Sequence, residues 1–202
     1  MVKKMNAKPQ VVVVAGPNGA GKSTAAPDIV RNAFGVNEFV NADAIALGLS
    51  QFAPEQVAFA AGRVFLERIS ALFLAREDFA FETTLSAKSF ASVLSAEQRN
   101  GYVVHVIFLW LPSAEMAVER VARRVRNGGH SIPKDVVRRR YDRGISNFFN
   151  IYRQIADSWV MLDNSAASAP RAIAWRNLGG PVNVVRTGPW QELRERYEQD
   201  IV

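Results

Sequence analysis

Five apolar runs alternate along the chain with longer segments of helical periodicity. Each run is short and rich in β-branched or aromatic residues, which is typical of buried strands. Strands that alternate with helices form parallel sheets with helices on both faces. The pattern therefore predicts an α/β fold of three layers with a parallel five-stranded sheet. The predicted strands occupy residues 10–15, 37–41, 78–82, 102–111 and 158–162.

Two of the intervening segments carry a clear helical signal. In residues 54–77 apolar side chains recur at helical spacing, and residues 113–127 begin at a serine and stop at a glycine pair. The last segment, residues 170–202, predicts a hairpin followed by a short helix. No repeat, low-complexity tract or linker divides the sequence, so residues 1–202 are expected to form a single domain.

A glycine-rich turn follows the first apolar run and precedes a helical segment. Residues 16–23, GPNGAGKS, match the phosphate-loop pattern G-x-x-x-x-G-K-[ST] at every position. Backbone N–H groups of such a loop surround a phosphate, the lysine reaches the terminal phosphates, and the serine hydroxyl binds Mg²⁺. We therefore expect Lys22 to hold a nucleoside triphosphate and Ser23 to be a metal ligand. The predicted nucleotide-binding residues are Gly16, Pro17, Asn18, Gly19, Ala20, Gly21, Lys22, Ser23 and Thr24.

Composition narrows the cellular setting. The chain has no cysteine, which excludes disulfides and thiolate metal sites and suits a reducing compartment. The longest apolar run, residues 103–111, is too short to cross a bilayer as a helix. The first run is too short for the core of a signal peptide. A soluble cytoplasmic protein without a membrane partner is expected.

Two polar motifs follow the second and third apolar runs. The carboxyl ends of parallel strands meet at one edge of the sheet, where ligands of open α/β folds bind. Asp43 is a candidate base for an acceptor hydroxyl, with a helix N-cap as the alternative. The motif FETTLS, residues 81–86, either binds the acceptor or satisfies a strand end and a helix start. The candidate acceptor-binding residues are Asn41, Asp43, Glu82, Thr83, Thr84 and Ser86.

Residues 120–143 concentrate the positive charge of the chain. They hold nine basic residues against two acidic ones, whereas the whole chain has a net charge of +6. Such a local concentration favours an anion site over a general nucleic-acid-binding face. Glycines and a proline separate two helical runs, which predicts a flap that closes over phosphates, and a solvated basic face is the alternative. The candidate catalytic arginines of this lid, which spans about residues 113–143, are Arg124 first, then Arg120, Arg126 and Arg139.

In this order the motifs resemble those of the zeta-toxin kinases, in a short form of the family. The resemblance rests on GPNGAGKST, FVNADAIA, FETTLS, GYVVHVIFLWLP, RVRNGGHSIP with RRRYDR, and DNS. It implies a P-loop NTPase/kinase fold and phosphorylation of a UDP-amino sugar, typically UDP-N-acetylglucosamine on its 3′ hydroxyl. It makes Asp43 the base, assigns Glu82, Thr83 and Thr84 to the acceptor pocket, and makes residues 120–143 the arginine-bearing lid. ATP with Mg²⁺ is the implied cofactor, and an antitoxin protein is a candidate partner.

The motifs leave other functions open. A kinase of another small molecule, such as a sugar acid, shikimate or an antibiotic, uses the same parts, and so does a polynucleotide 5′-end kinase. A nucleotide-switched binding module without acceptor phosphorylation is the alternative from a different class. The favoured interpretation is an ATP-dependent phosphotransferase with an alcohol group of a UDP-sugar-like molecule as acceptor.

Overall fold

The structure is a computed structural model that describes residues 8–199. Within this range seven strands form one sheet in the order β2-β3-β1-β4-β5-β6-β7. The strands are β1 (Gln10–Ala15), β2 (Glu38–Val40), β3 (Phe79–Thr83), β4 (Val103–Trp110), β5 (Ser158–Asp163), β6 (Arg171–Arg176) and β7 (Val182–Val184).

The sheet is mixed, which corrects the expectation of five parallel strands. Strands β1 to β5 pair parallel with one another, as predicted, and each predicted strand lies within two residues of an observed one. The predicted C-terminal hairpin does not stand apart from the sheet, because β6 pairs antiparallel with β5 and β7 pairs antiparallel with β6. A short connection without a crossover helix allows only antiparallel pairing between β5 and β6.

Helices connect the strands and cover the sheet. The segment predicted as one helix over residues 54–77 begins with a 3₁₀ turn at Pro54–Val57 before its α-helical part. No helix among residues 8–199 is long and apolar enough to cross a membrane. The helices are α1 (Lys22–Phe34), α2 (Ala42–Leu49), α3 (Ala58–Leu74), α4 (Ser89–Arg99), α5 (Ala114–Arg126), α6 (Lys134–Asn147), α7 (Arg153–Ile155) and α8 (Thr187–Tyr197). A π-helical turn, Phe148–Tyr152, joins α6 to α7.

Strand β1 lies inside the sheet, between β3 and β4, and is buried on both faces. Side chains of a strand point alternately to its two faces. Accordingly, Val11 and Val13 belong to the larger hydrophobic cluster, and Val12 and Val14 belong to a second cluster with α1. A run of valines therefore suits this strand at every position, since neither face meets water.

The carboxyl ends of the parallel strands meet at one edge. Ala15 at the end of β1 pairs with Thr83 of β3 on one side and with Phe108 of β4 on the other. The phosphate loop, the start of α2 and the end of β3 all emerge at this edge, which brings the predicted motifs into one region.

Candidate functional site

The glycine-rich loop between β1 and α1 packs tightly against β4. Gly16 has φ +139°, and a Cβ there would lie 2.2 Å from the carbonyl oxygen of Leu109. No other residue fits that position without moving the β4 backbone. The conformation of the loop is therefore fixed by the fold itself.

Lys22 begins α1 and is buried, with 5% of its side chain exposed. Its Nζ donates hydrogen bonds to the carbonyl oxygens of Gly16 and Pro17, each at 2.9 Å, and lies 3.6 Å from Oε1 of Glu82. Burial lowers the pKa of Lys22, while the nearby carboxylates of Glu82 and Asp43 oppose that shift. The ammonium group is thus held inside the loop beside two carboxylates.

A cluster of oxygen-bearing side chains adjoins Lys22. The Oγ of Ser23 and the Nδ2 of Asn41 each donate to Oε2 of Glu82, both at 2.7 Å. No group of three His, Cys, Asp or Glu side chains in the described part of the chain is placed to hold a metal ion. The hydroxyl of Ser23 and the carboxylate of Glu82 are nevertheless hard oxygen ligands, and they suit a Mg²⁺ whose other ligands are phosphate oxygens and water.

Asp43 lies in the first turn of α2. The N-cap of this helix is Asn41, whose Oδ1 accepts hydrogen bonds from the backbone N–H groups of Asp43 and Ala44. The alternative in which Asp43 caps the helix is therefore wrong, because the amide two residues earlier already fills that role. The Asp43 side chain is 49% exposed and is available for another contact.

The predicted flap consists of α5, a turn and α6. Nη1 of Arg124, near the end of α5, lies 3.8 Å from Oδ2 of Asp43, and Nε2 of His130 in the turn lies 3.9 Å from Oδ1. A Cβ at Gly129 would lie 2.6 Å from Cγ of Arg124, so a residue without a side chain lets the turn pack over the arginine. Helix α5 and the turn thus bring Arg124 and His130 to Asp43.

The other candidate arginines have different surroundings. Arg120 donates to the carbonyl oxygens of Asn164 and Ser165, both at 2.7 Å, which ties α5 to the end of β5. Arg126 and Arg139 are exposed and are not among the residues that line the cleft beside Asp43. The structure therefore brings only Arg124 of the four candidates to that cleft.

Arg140 was not singled out from the sequence, yet its Nη1 lies 3.5 Å from Oδ1 of Asn18 in the phosphate loop. The helical phase of α6 explains the difference between neighbours. Val137 and Tyr141 are buried, so Arg140 lies on the flank of the buried face while Arg139 lies on the opposite side. The position of Arg140 relative to the apolar residues of α6 is the sequence signal that indicates this placement.

The hydroxyls that follow β3 do not line the cleft. Oγ1 of Thr83 accepts a hydrogen bond from the backbone of Leu85, which has φ +54°, and the hydroxyls of Thr84 and Ser86 lie 2.9 Å apart. These side chains satisfy a tight turn, which was the alternative for this motif. Of the predicted acceptor-binding set, Asn41 and Asp43 line the cleft, whereas Glu82 contacts the phosphate loop.

Asn164 is a second residue whose place the sequence did not indicate. Its Nδ2 donates to the carbonyl oxygen of Ala20 in the phosphate loop at 2.7 Å. Together with the two bonds from Arg120, this contact joins the loop, α5 and the turn after β5. The motif DNS was part of the observed resemblance, but no local pattern assigns its asparagine to a loop that precedes it by more than one hundred residues.

A cleft of about 690 Å³ lies between α2 and the flap. It opens beside Ser23 and Asp43, at the carboxyl edge of the sheet. The lining residues are Ser23, Asn41, Asp43, Ala44, Leu47, Gln51, Phe52, Pro54, Arg124, Val125, Gly128, Gly129, His130 and Ser131.

Solved structures share this fold at low sequence identity. A chain of the AvrRxo1-ORF1:-ORF2 complex with ATP superposes with a TM-score of 0.76 and 13% identity, covering 98% of this chain and 66% of that one. This protein thus spans just under two thirds of the AvrRxo1 chain. A structure from the PezAT chromosomal toxin–antitoxin system of Streptococcus pneumoniae superposes with a TM-score of 0.64 and 12% identity, covering 97% and 81% of the two chains. These likenesses show the fold.

Sequence comparison identifies a family. An uncharacterised protein of Haemophilus influenzae is 29% identical over 132 residues, which are 65% of this chain and 92% of that protein. The model of the family described as AAA domain matches residues 11–151, which include the phosphate loop, α2 and the flap. Because this match spans more than half of the chain, the protein belongs to the AAA domain family.

Proposed function

We propose that the protein transfers the γ-phosphoryl group of ATP to a hydroxyl group of a small molecule held in the cleft between α2 and the flap. The observation that carries this proposal is the position of Asp43. Its carboxylate lines the cleft, has Arg124 at 3.8 Å, and contributes to the electrostatic environment of Lys22. A carboxylate, an arginine and a phosphate-loop lysine at one edge are the parts that phosphoryl transfer requires.

The phosphate loop binds the nucleotide in this scheme. Lys22 exchanges its two carbonyl partners for β- and γ-phosphate oxygens, and the N-terminus of α1 adds its partial positive charge. Ser23 and Glu82 would hold Mg²⁺, directly or through water. When bound, the metal neutralises charge on the β- and γ-phosphates.

Asp43 acts as the base toward the acceptor. It accepts the proton of the acceptor hydroxyl as the hydroxyl oxygen forms a bond to the γ-phosphorus. The bond between that phosphorus and the oxygen bridging to the β-phosphate breaks, and ADP leaves with the electron pair. The half-exposed carboxylate on the cleft wall can meet an acceptor without rearrangement of α2.

Arg124 stabilises the charge on the moving phosphoryl group. Its Nε is buried and has no hydrogen-bond partner within residues 8–199. Its Nη2 donates to the carbonyl oxygen of His130 at 3.3 Å, and its Nη1 lies 3.8 Å from Asp43. The guanidinium therefore retains donors for phosphate oxygens, to which it can form two parallel hydrogen bonds. Movement of α5 and the turn would deliver these donors when the cleft closes.

For the acceptor we propose a UDP-amino sugar such as UDP-N-acetylglucosamine, on the strength of the motif resemblance. The same resemblance, together with the toxin–antitoxin system to which one structural neighbour belongs, supports an antitoxin protein as partner.

The test is mass spectrometry of a panel of UDP-sugars incubated with protein, ATP and Mg²⁺. A product heavier by one phosphate, absent with Lys22→Ala, supports the proposal. Phosphorylation of a different small molecule or of an oligonucleotide 5′ end would reassign the acceptor. ATP consumption that no acceptor increases would favour a nucleotide-switched binding module instead.

A further inference from the structure

The cleft has two chemically different ends. At the sheet edge the guanidinium of Arg124 and the imidazole of His130 both face Asp43. Away from Asp43 the lining includes Leu47, Phe52 and Val125, with no other charged side chain among the lining residues. Because the distal end offers nothing to pair with a charge, it suits an uncharged part of a ligand.

The apolar residues are more exposed than large apolar side chains usually are. Phe52 is 98% exposed, and both Leu47 and Val125 also count among the exposed hydrophobic residues. They come from opposite walls, since Leu47 lies on α2, Phe52 follows it, and Val125 lies on α5 of the flap. The part of the cleft lined by Leu47, Phe52 and Val125 is called the apolar slot; its exposed aromatic and aliphatic side chains offer contact surface to a flat, apolar group.

The spacing along α2 sets where that group lies. Asp43 and Leu47 are four residues apart and share one helix face, about 6 Å apart along the axis. Phe52 lies farther along the same wall, beyond the end of the helix. A ligand whose hydroxyl meets Asp43 thus reaches the apolar slot at a distance of one helical turn or more.

We propose that the acceptor carries a planar or apolar ring, which binds against Phe52 and Leu47 and under Val125 while its hydroxyl faces Asp43. This inference rests on the proposed kinase function and narrows its acceptor class. Phe52 is then a specificity-determining residue that binds the ring and takes no part in the chemistry. An open-chain polyol or a small sugar phosphate without a ring substituent would leave the slot unfilled.

The test uses pairs of acceptors in which one member carries an aromatic ring and the other does not. Suitable pairs are phenyl β-glucoside with glucose, and UDP-N-acetylglucosamine with N-acetylglucosamine 1-phosphate. Stacking and burial of one ring correspond to about a tenfold change in affinity. We expect the ring-bearing member of at least one pair to have a KM about tenfold lower than its ringless partner.

Phe52→Ala should remove that preference without changing KM for ATP. Phe59→Ala is the matched control, because Phe59 is also highly exposed, at 85%, but does not line the cleft. Phe52→Leu should retain part of the preference, since it keeps an apolar side chain. Equal use of ringless acceptors by the wild type, or an unchanged preference in Phe52→Ala, would overturn the inference.

A binding measurement separates this inference from the proposed function. Calorimetric titration of each ring-bearing compound into wild type, Phe52→Ala and Phe59→Ala, with a non-hydrolysable ATP analogue, needs no turnover. If no acceptor stimulates ATP use but one binds about tenfold more weakly to Phe52→Ala alone, the slot is supported and the kinase function is not. If none of the ring-bearing compounds binds the wild type, the slot is refuted whatever the enzyme phosphorylates.

Discussion

The phosphate-loop side and the acceptor side of the proposed reaction centre differ in how tightly their side chains are packed. On the first side Lys22 is 5% exposed, and its Nζ makes two hydrogen bonds of 2.9 Å. On the second side Asp43 is 49% exposed, and the nitrogen atoms of Arg124 and His130 that face it lie at 3.8 and 3.9 Å. The phosphate-loop side is therefore ordered by folding alone, whereas the acceptor side has space to close around a ligand.

This difference has an energetic reason. A loop that wraps phosphates must hold its N–H groups in place before the ligand arrives, and dense packing against β4 provides that order. An acceptor must enter and a product must leave, so the other wall consists of exposed side chains on a short helix and a two-helix flap. Substitutions should therefore have different consequences on the two sides.

The largest effect is expected from Lys22→Ala on the phosphate-loop side. The ammonium group is the cation of the phosphate loop, and its removal should abolish phosphoryl transfer. Strands and helices should remain, because the loop backbone is held by its contacts with β4 and Asn164. Steady-state kinetics and circular dichroism provide the measurement, and turnover at the wild-type level would disprove the assignment of Lys22.

The next largest effect is expected from Arg124→Ala on the flap. If Arg124 contacts the phosphoryl group mainly in the transition state, kcat should fall by about 10³-fold, as for other arginine fingers, with a much smaller change in KM for ATP. Arg124→Lys should restore little activity, since an ammonium cannot form the two-pronged contact.

Arg126→Ala and Arg139→Ala are the matched controls for the flap. Both residues are exposed and absent from the cleft lining, so kcat should stay within about threefold of wild type. If Arg124→Ala also stayed within that range, the flap would be a solvated basic surface and the lid mechanism would be wrong.

A smaller kinetic effect is expected from Asp43→Asn. The amide keeps the shape of the side chain but does not accept the proton, so kcat should fall by about 10²-fold or more with little change in ATP affinity. Stability should not change, because Asn41 caps α2. Asn41→Ala should instead cost about 1 kcal/mol of unfolding free energy. Denaturant titration of both variants checks this division, and an early-melting but active Asp43→Asn would contradict it.

The parallel strands and the phosphate loop could be predicted from sequence because their signals are local. Four consecutive valines followed by GPNGAGKS specify a buried strand and a phosphate loop within about twenty residues. The two antiparallel strands were predicted as a hairpin, but their membership of the sheet depends on pairing between β5 and β6. Such pairing is a tertiary property that no local pattern contains.

The site was harder to predict because the place of each residue depends on the helix face it occupies and on contacts with residues distant in sequence. Glu82 was placed with the acceptor, yet it bonds Ser23 across 59 positions of sequence. Arg139 was chosen over Arg140, although the buried positions of α6 put Arg140 on the flank nearer the loop. Asp43 was placed correctly at the sheet edge. The N-cap of α2, the alternative role for Asp43, is Asn41, because capping depends on the backbone geometry where the helix begins.

The smallest effect is expected at His105, near the start of strand β4. Its Nδ1 lies 2.7 Å from Oγ of Ser158, its ring packs on Phe34, and burial lowers its pKa from 6.5. At pH values between the lowered pKa of folded His105 and 6.5, His105 binds a proton in the unfolded chain but not in the folded chain. This contribution to stability is therefore fully present above pH 6.5 and is lost as the pH falls through that window. His105→Gln keeps a polar side chain opposite Ser158 but does not titrate.

Urea unfolding at about pH 7.5 and about pH 5 measures this contribution. The loss of stability between the two conditions should be smaller in His105→Gln than in the wild type. An equal loss in both proteins would show that acid destabilisation does not arise at His105.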